Sequence, residues 1–270
     1  MAIRTKETPE IPGIDPERAV KKLTAEIRSF VSSVNQSKVL LGISGGIDTS
    51  VLADLCGRAI GPDNVYGLQL TSSAEEEALA KDGAILARHL RIRLRRIDIS
   101  RLVDTMAEML TVPFHGEEAI LRRHQITDRL RMVLILDKAE QEDMCHISAV
   151  NRTEKLLGMG VICGTFSPVC QPLASIFKTH IYEIAQYLEL PEQILIRQPS
   201  FDMWKNPAEG AEPREVVGEI DKFLYLRLEK KLPPSKLKRL GFAPRFVSTV
   251  LKRLDEVTTQ MSVFKDVINP

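Results

Sequence analysis

The chain has 270 residues, 44% apolar and 27% charged, with 37 Lys and Arg against 36 Asp and Glu for a formal net charge of +1. At roughly 100–200 residues per domain, that length suits one large globular domain, or one with a small addition, able to bury a full core. The balanced charge gives no footprint for nucleic acid, no apolar run approaches the roughly 18 residues of a membrane span, and the first ten residues, MAIRTKETPE, lack an apolar signal core, which points to a cytoplasmic protein.

Residues 1–14, with Pro9, Pro12 and Gly13 and no periodicity, read as an arm preceding a single domain over 15–270. Asp15-Pro16-Glu17 has the form of an N-cap, a proline in the first turn and an early acid. Val20, Leu23, Ile27, Phe30, Val31 and Val34 then recur at helical steps, which predicts a helix to about residue 34. Lys38 to Ser44 is a short apolar run, read as a buried parallel strand. Helical spacing resumes after Gly46 to about Ile60, and Val65 to Leu70 reads as a second strand. A helix over Glu75 to His89, a strand over Arg93 to Ile99 and a helix over Arg101 to Leu110 follow. Ile120 to Ala139 reads as a long helix, His146 to Val150 as a short strand and Lys178 to Leu188 as a helix. Helices over about 213–230, 234–240 and 244–257 complete the chain. Strands alternating with helices predict an α/β fold, a doubly wound parallel sheet flanked by helices.

Cys56, Cys145, Cys163 and Cys170 form no C-x-x-C pair and read as reduced, mostly buried thiols, so neither zinc nor an iron–sulfur centre is supported. The informative motif is Ser44-Gly45-Gly46-Ile47-Asp48-Thr49-Ser50, between a predicted strand and a predicted helix. Two glycines allow close backbone approach to a ligand, and the following helix offers free N–H groups and its positive dipole end to an anion. Ser44, Thr49 and Ser50 add hydroxyls there. Asp48 would repel a bare phosphate, which implies a Mg²⁺ ion between them. No Gly precedes a Lys anywhere, so this is no Walker A loop, and no G-x-G-x-x-G follows the strand.

This loop resembles the pyrophosphate loop of the N-type ATP pyrophosphatases, an adenine nucleotide alpha-hydrolase-like fold, and the chain is most similar to the ammonia-dependent NAD synthetase family. The similarity runs from Asp15 to about residue 230. Ile126 to Met132 (ITDRLRM) resembles the family's N-x-x-A-R-x-R-M helix, with Arg129 and Arg131 on its arginines. Asn151-Arg152-Thr153-Glu154 resembles N-[RK]-[ST]-E, Phe177-Lys178-Thr179 resembles [YF]-K-T, and Pro199-Ser200 resembles a P-[ST] turn. The resemblance implies that Ile43, Ser44, Gly45, Gly46, Ile47, Asp48, Thr49, Ser50, Lys178 and Ser200 bind ATP. It implies that Asp48 and Glu154 hold Mg²⁺, that Asp48 and Lys178 are catalytic, and that Arg129 reaches substrate or a partner subunit. It further implies a homodimer that adenylates a carboxylate, deamido-NAD in the family reaction, and amidates it with ammonia, releasing AMP and pyrophosphate.

The departures lie on one side of that chemistry. Where the family reads K-Y-G-D-G-x-x-D, this chain has Ile162 for the lysine and Thr165 and Val169 for the aspartates. Ala149 replaces a threonine, residues 205–210 read KNPAEG in place of an acidic turn, and no histidine follows His180. The ATP and Mg²⁺ half is kept while the dinucleotide half is rewritten. Two alternatives therefore stay open: amidation of a different carboxylate, and a non-catalytic nucleotide-binding paralogue.

Overall fold

The structure, a computed structural model, describes residues 10–113, 115–158, 170–197 and 213–268, with side chains described except at 74–79, 117, 213 and 259–268. Four parallel strands, β1 (Val39–Gly42), β2 (Val65–Thr71), β3 (Arg93–Asp98) and β4 (Cys145–His146), lie in the order β3-β2-β1-β4. Val39 pairs with Val65 on one side and with Cys145 on the other. β1 is thus the centre from which the chain first builds toward β3 and then crosses to β4. In open α/β sheets such a reversal leaves a crevice beyond the carboxyl ends of the strands, the usual ligand position.

Strand alternation sorts the core. Val39, Leu41 and Ile43 point to the face covered by α1 (Pro16–Ser33), α2 (Ile47–Ile60), α3 (Ala74–Leu90) and α7 (Lys178–Tyr187). Leu40, Leu68 and Leu70 point to the opposite face, against α4 (Ser100–Met109) and α5 (Glu117–Gln141). α1 begins as its sequence predicts, with Asp15 accepting from the Arg18 N–H at 3.0 Å and Pro16 in the first turn. Among the described residues β3 is one of the two edge strands, and its exposed Arg93, Arg95 and Arg96 charge that edge against unwanted pairing.

β4 is shorter than the predicted His146–Val150 strand. Two residues pair with β1, then Ile147 makes a single parallel bridge to Cys170, so the chain leaves the sheet where the crevice opens. α6 (Arg152–Leu156) and α8 (Glu192–Leu195) are single short turns. A second apolar cluster is built by α9 (Pro213–Leu224), α10 (Pro234–Arg239) and α11 (Pro244–Ile268), around Phe223, Phe242 and Phe246. A π-helical turn, Tyr225–Glu229, continues α9, and α11 runs about ten residues beyond its predicted end.

Residues 10–13, read from sequence as part of the arm, are tied down: Ile11 packs against the C-terminal cluster, Glu10 pairs with Lys222 at 2.6 Å, and the Pro12 carbonyl meets His180 Nε2 at 3.1 Å. Cys56 and Cys145 are buried and Cys170 is half-buried, all three free thiols. No helix among the described residues is long and apolar enough to cross a membrane.

Candidate active site

The crevice is a cavity of about 660 Å³ at the carboxyl ends of β1, β2 and β4, a size suited to a small-molecule ligand. Its floor is the loop that joins β1 to α2. Gly45 takes φ +89°, a conformation that L side chains rarely adopt, and Gly46 caps α2 with extended dihedrals and no side-chain hydrogen bond. The first N–H groups of α2 therefore lack side-chain acceptors and face the crevice as an anion site. The loop is stiffened from within. Ser44 Oγ accepts from the Gly46 N–H at 3.1 Å and lies 3.2 Å from Thr49 Oγ1, and Thr49 Oγ1 donates to the Gly46 carbonyl at 3.0 Å.

Of the loop residues named from sequence, Ile43, Ser44, Gly46, Ile47, Asp48 and Thr49 line the cavity. Gly45 and Ser50 do not. Ser50 is fully buried, and its hydroxyl donates to the Gly46 carbonyl at 2.8 Å. It stands one turn into α2, off the cavity lining, where it braces the loop from behind.

Three charged groups converge above this floor from three elements. Asp48 rises from the first turn of α2, Glu154 from α6 and Lys178 from the start of α7. Lys178 Nζ forms a short ion pair with Asp48 Oδ2 and lies 3.7 Å from Glu154 Oε1. Asn151 Nδ2 donates to Asp48 Oδ1 at 2.8 Å. Asn151 also caps α6 reciprocally with Glu154: its side-chain oxygen accepts from the Glu154 N–H at 3.0 Å, and Glu154 Oε2 accepts from the Asn151 N–H at 3.2 Å. One carboxylate oxygen of Glu154 is thus spent on the cap and the other faces the lysine.

The electrostatics follow from that crowding. Burial, then the neighbouring Asp48 carboxylate, push the Glu154 carboxyl up to about 7, against the pull of Lys178 and Asn151. Burial alone would lower the Lys178 ammonium. The Asp48 and Glu154 carboxylates outweigh it and hold the amine protonated well above its ordinary value. A lysine at a helix N-terminus opposes the dipole, and this pair of carboxylates is what compensates it. Among the described residues no third acidic, histidine or cysteine side chain joins them as a metal cluster. Two carboxylates beside an anion site form a donor set for a hard cation that takes its remaining ligands from phosphate oxygens and water, which is the habit of Mg²⁺.

The structure separates the two arginines of α5. Arg131 lines the cavity and donates from Nε to the Leu70 carbonyl at 3.2 Å. Arg129, expected from the resemblance to reach substrate or a partner subunit, is exposed and lies off the cavity wall, a position open to a partner rather than to a ligand in the crevice. Two residues apart on a helix is about 200° of rotation, so only one of such a pair can face a given crevice. Phe177 is buried in the C-terminal cluster with the Arg152 guanidinium 4.6 Å from its centroid. Ser200, Ile162, Thr165 and Val169 lie outside the described residues.

Several lining residues carry no motif: Gln69, Thr71, His146, Ser148 and Tyr182. Gln69 Nε2, Thr71 Oγ1 and His146 Nε2 are buried without a hydrogen-bond partner among the described residues. Orphaned polar atoms are rare in native interiors, and these three, together with Tyr182 Oη and Arg197 Nε on the same lining, mark a place where a polar ligand belongs. His146 Nδ1 meets the Leu40 carbonyl at 3.1 Å and so carries the proton, leaving Nε2 as an acceptor. Burial holds the ring below its ordinary pKa, in keeping with a neutral imidazole. Tyr182 could have been found: it stands four residues after Lys178, one helical turn along the same face.

Residues 19–265 match the family model described as NAD synthase. An NH(3)-dependent NAD(+) synthetase from Chlorobium phaeobacteroides is 32% identical over 230 residues, covering 85% of this chain and 80% of that protein. The structure of an NH3-dependent NAD synthetase from Campylobacter jejuni, in complex with the nitrate ion, superposes with a TM-score of 0.71 at 25% identity, covering 90% of this chain and 95% of that one. An NMN synthetase from Francisella tularensis shares the fold, with a TM-score of 0.69 at 21% identity over 92% and 94% of the two chains. With its phosphate-type loop, its two carboxylates and its lysine gathered at one crevice, and with the family pattern running over nearly its whole length, the chain belongs to the NAD synthase family.

Proposed function

We propose that the chain is an ATP-dependent, ammonia-using amide ligase that converts deamido-NAD to NAD with release of AMP and pyrophosphate. The observation that carries this reading is the convergence of Asp48, Glu154 and Lys178 over the Ser44–Thr49 loop. The α2 N-terminus and the Ser44 and Thr49 hydroxyls receive the β- and γ-phosphates. Lys178 stabilises charge on the phosphates as pyrophosphate leaves, the moment at which a pre-positioned cation is most effective. The substrate carboxylate attacks the α-phosphorus, and ammonia then displaces AMP from the acyl-adenylate. Asp48 and Glu154 would hold Mg²⁺, which supplies charge neutralisation on the triphosphate when bound.

The same reading makes the enzyme a cytoplasmic homodimer. Free thiols support the compartment. Leu102, Met109 and Leu110 on and beside α4, and Ile120, Leu121 and Val133 on α5, are exposed apolar side chains that a subunit contact would cover. Sedimentation equilibrium at micromolar concentration should give twice the chain mass.

The deciding experiment is pyrophosphate release with Mg·ATP and ammonium, with and without deamido-NAD. Release that requires deamido-NAD and yields NAD supports the family reaction. ATP binding with no stimulation by deamido-NAD overturns it. A screen of other carboxylates would then separate a changed acceptor, which the substitutions at Ile162, Thr165 and Val169 favour, from a non-catalytic paralogue.

The position of Glu154 gives a further expected result. With its carboxyl near 7 in the metal-free protein, much of it is protonated at pH 6. Metal binding needs the carboxylate, so loading Mg·ATP at pH 6 should release up to one proton per site, and at pH 8.5 almost none. Titration calorimetry in buffers of different ionisation enthalpy measures this directly. A buffer-independent heat at pH 6 would remove Glu154 from the metal site.

A further inference from the structure

We propose that Asp221, a residue of α9 outside the cavity, positions both Glu154 and Lys178 by clamping the first turns of α6 and α7 together. The proposal rests on the reading of those two residues as the metal and phosphate groups. Asp221 is fully buried. Its Oδ1 accepts from the Thr153 hydroxyl at 2.5 Å, and its Oδ2 accepts from the Thr179 N–H at 2.8 Å and the Thr179 hydroxyl at 2.5 Å. Thr153 Oγ1 in turn accepts from the Lys178 N–H at 3.0 Å.

The helix ends explain why a carboxylate stands there. The first N–H groups of a helix have no partners within it. The N-cap of α7 is Phe177, whose side chain cannot accept a hydrogen bond. Thr153 meets the first N–H of α7 and Asp221 the second, so this helix is capped from two other elements. Thr153 is the residue before Glu154, and Thr179 is the residue after Lys178. One carboxylate therefore fixes the backbone immediately beside each charged group while hydrogen bonding to neither.

α6 needs such support. Five residues have almost no helical stability of their own. The same C-terminal layer holds α6 at other points: Arg152 pairs with Glu229 at 2.9 Å, and Arg253 donates to the carbonyls of Leu157 at 2.7 Å and Gly158 at 3.1 Å. Neighbouring α9 positions Ile220, Phe223 and Leu224 are apolar and buried. A buried acid among them is costly unless fully hydrogen bonded, and here each of its bonds goes to α6 or α7.

Asp221→Asn tests the clamp. The amide has one acceptor oxygen. Turned toward Thr179, it sends its NH₂ to the second lone pair of the Thr153 oxygen that already accepts from Lys178, and the Thr153 proton loses its acceptor. Turned the other way, it sets donor against donor at the Thr179 N–H. Either orientation leaves one buried donor unpaired, the Thr153 hydroxyl in the first and the Thr179 N–H in the second. In the metal-free protein, hydrogen exchange at the Lys178 and Thr179 amides should quicken about tenfold while α2 amides are unchanged. In the enzyme, well below its melting temperature, the Mg²⁺ concentration for half-maximal pyrophosphate release should rise about tenfold and kcat fall about tenfold. Thr153→Val should reproduce both effects, including in the event that Asp221→Asn fails to fold, and Thr153→Ser, which keeps the hydroxyl, should reverse them. Unchanged exchange and an unchanged Mg²⁺ requirement in folded variants overturn the clamp. So does activity lost only in proportion to folded protein. If Glu154→Gln also leaves the Mg²⁺ requirement unchanged, the metal reading is what fails, and the exchange rates still decide the clamp.

Discussion

Asp48→Ala should lower pyrophosphate release by about 10³-fold while the protein stays folded. Its carboxylate takes part in two devices at once. In the proposed function it is one of two acids that would hold a cation against the triphosphate, and in the structure it anchors Lys178 Nζ and Asn151 Nδ2. Removing a pre-organised electrostatic contact of this kind costs about 10²–10³-fold, and the displaced lysine adds to that. The fold survives because Lys178 keeps Glu154 at 3.7 Å as a partner and because Asp48 contributes no apolar surface to the core around β1. The stability lost should be about 1–3 kcal/mol, the cost of leaving part-buried donors short of an acceptor. Asp48→Asn separates shape from charge. Its amide oxygen can still accept from Asn151, so if it too is inactive, the negative charge is the requirement. Near-normal release from either variant, assayed with Mg·ATP, ammonium and deamido-NAD, would take Asp48 out of the chemistry.

The sheet and the floor of this site were legible in the sequence because their signals are local. Val39-Leu40-Leu41 is apolar on both faces because helices cover both, and Gly45-Gly46 marks a backbone turn that Gly45 does take at positive φ. The Asp15-Pro16 helix start needs only four residues to be read. What escaped depends on rotation or on distance along the chain. Arg129 and Arg131 look alike in a motif, and only the helix phase assigns Arg131 to the crevice. Ser50 looks like a third hydroxyl for a phosphate, but one turn into α2 it faces the Gly46 carbonyl instead. Asp221 bonds to residues 68 and 42 positions away and sits in an amphipathic helix like any other, so nothing near it in sequence marks it. His146 and Gln69 were read as strand residues, and their unpaired atoms become visible only when the cavity beside them is known.

Lys178→Met should be the second most damaging change, and it should make the stability of the protein depend on pH and on metal. In the native site one ammonium lies between two carboxylates. Methionine fills similar space but leaves Asp48 and Glu154 facing each other without a cation. Glu154 is already raised from 4.5 to about 7 by burial and by Asp48, with Lys178 pulling it back, so the substitution removes a restraint and lifts it further. The sign follows from proton linkage. An acid whose folded pKa exceeds its unfolded value binds its proton more tightly in the native state, so its contribution is whole below about 4.5 and is lost as pH rises through 7 and beyond. The variant should therefore melt progressively lower between pH 5 and pH 8, more steeply than the parent. Mg²⁺ should raise its melting temperature at pH 8 more than it raises the parent's, because the ion replaces the missing positive charge between the same two acids. Turnover should stay about 10²–10³-fold down even with Mg²⁺ saturating, since the ion cannot also stand where, in the proposed reaction, the ammonium would meet the departing pyrophosphate. A melting temperature indifferent to pH and Mg²⁺ would mean that the two carboxylates do not share one field. Activity within a few-fold of the parent would mean that Lys178 is there only to neutralise them.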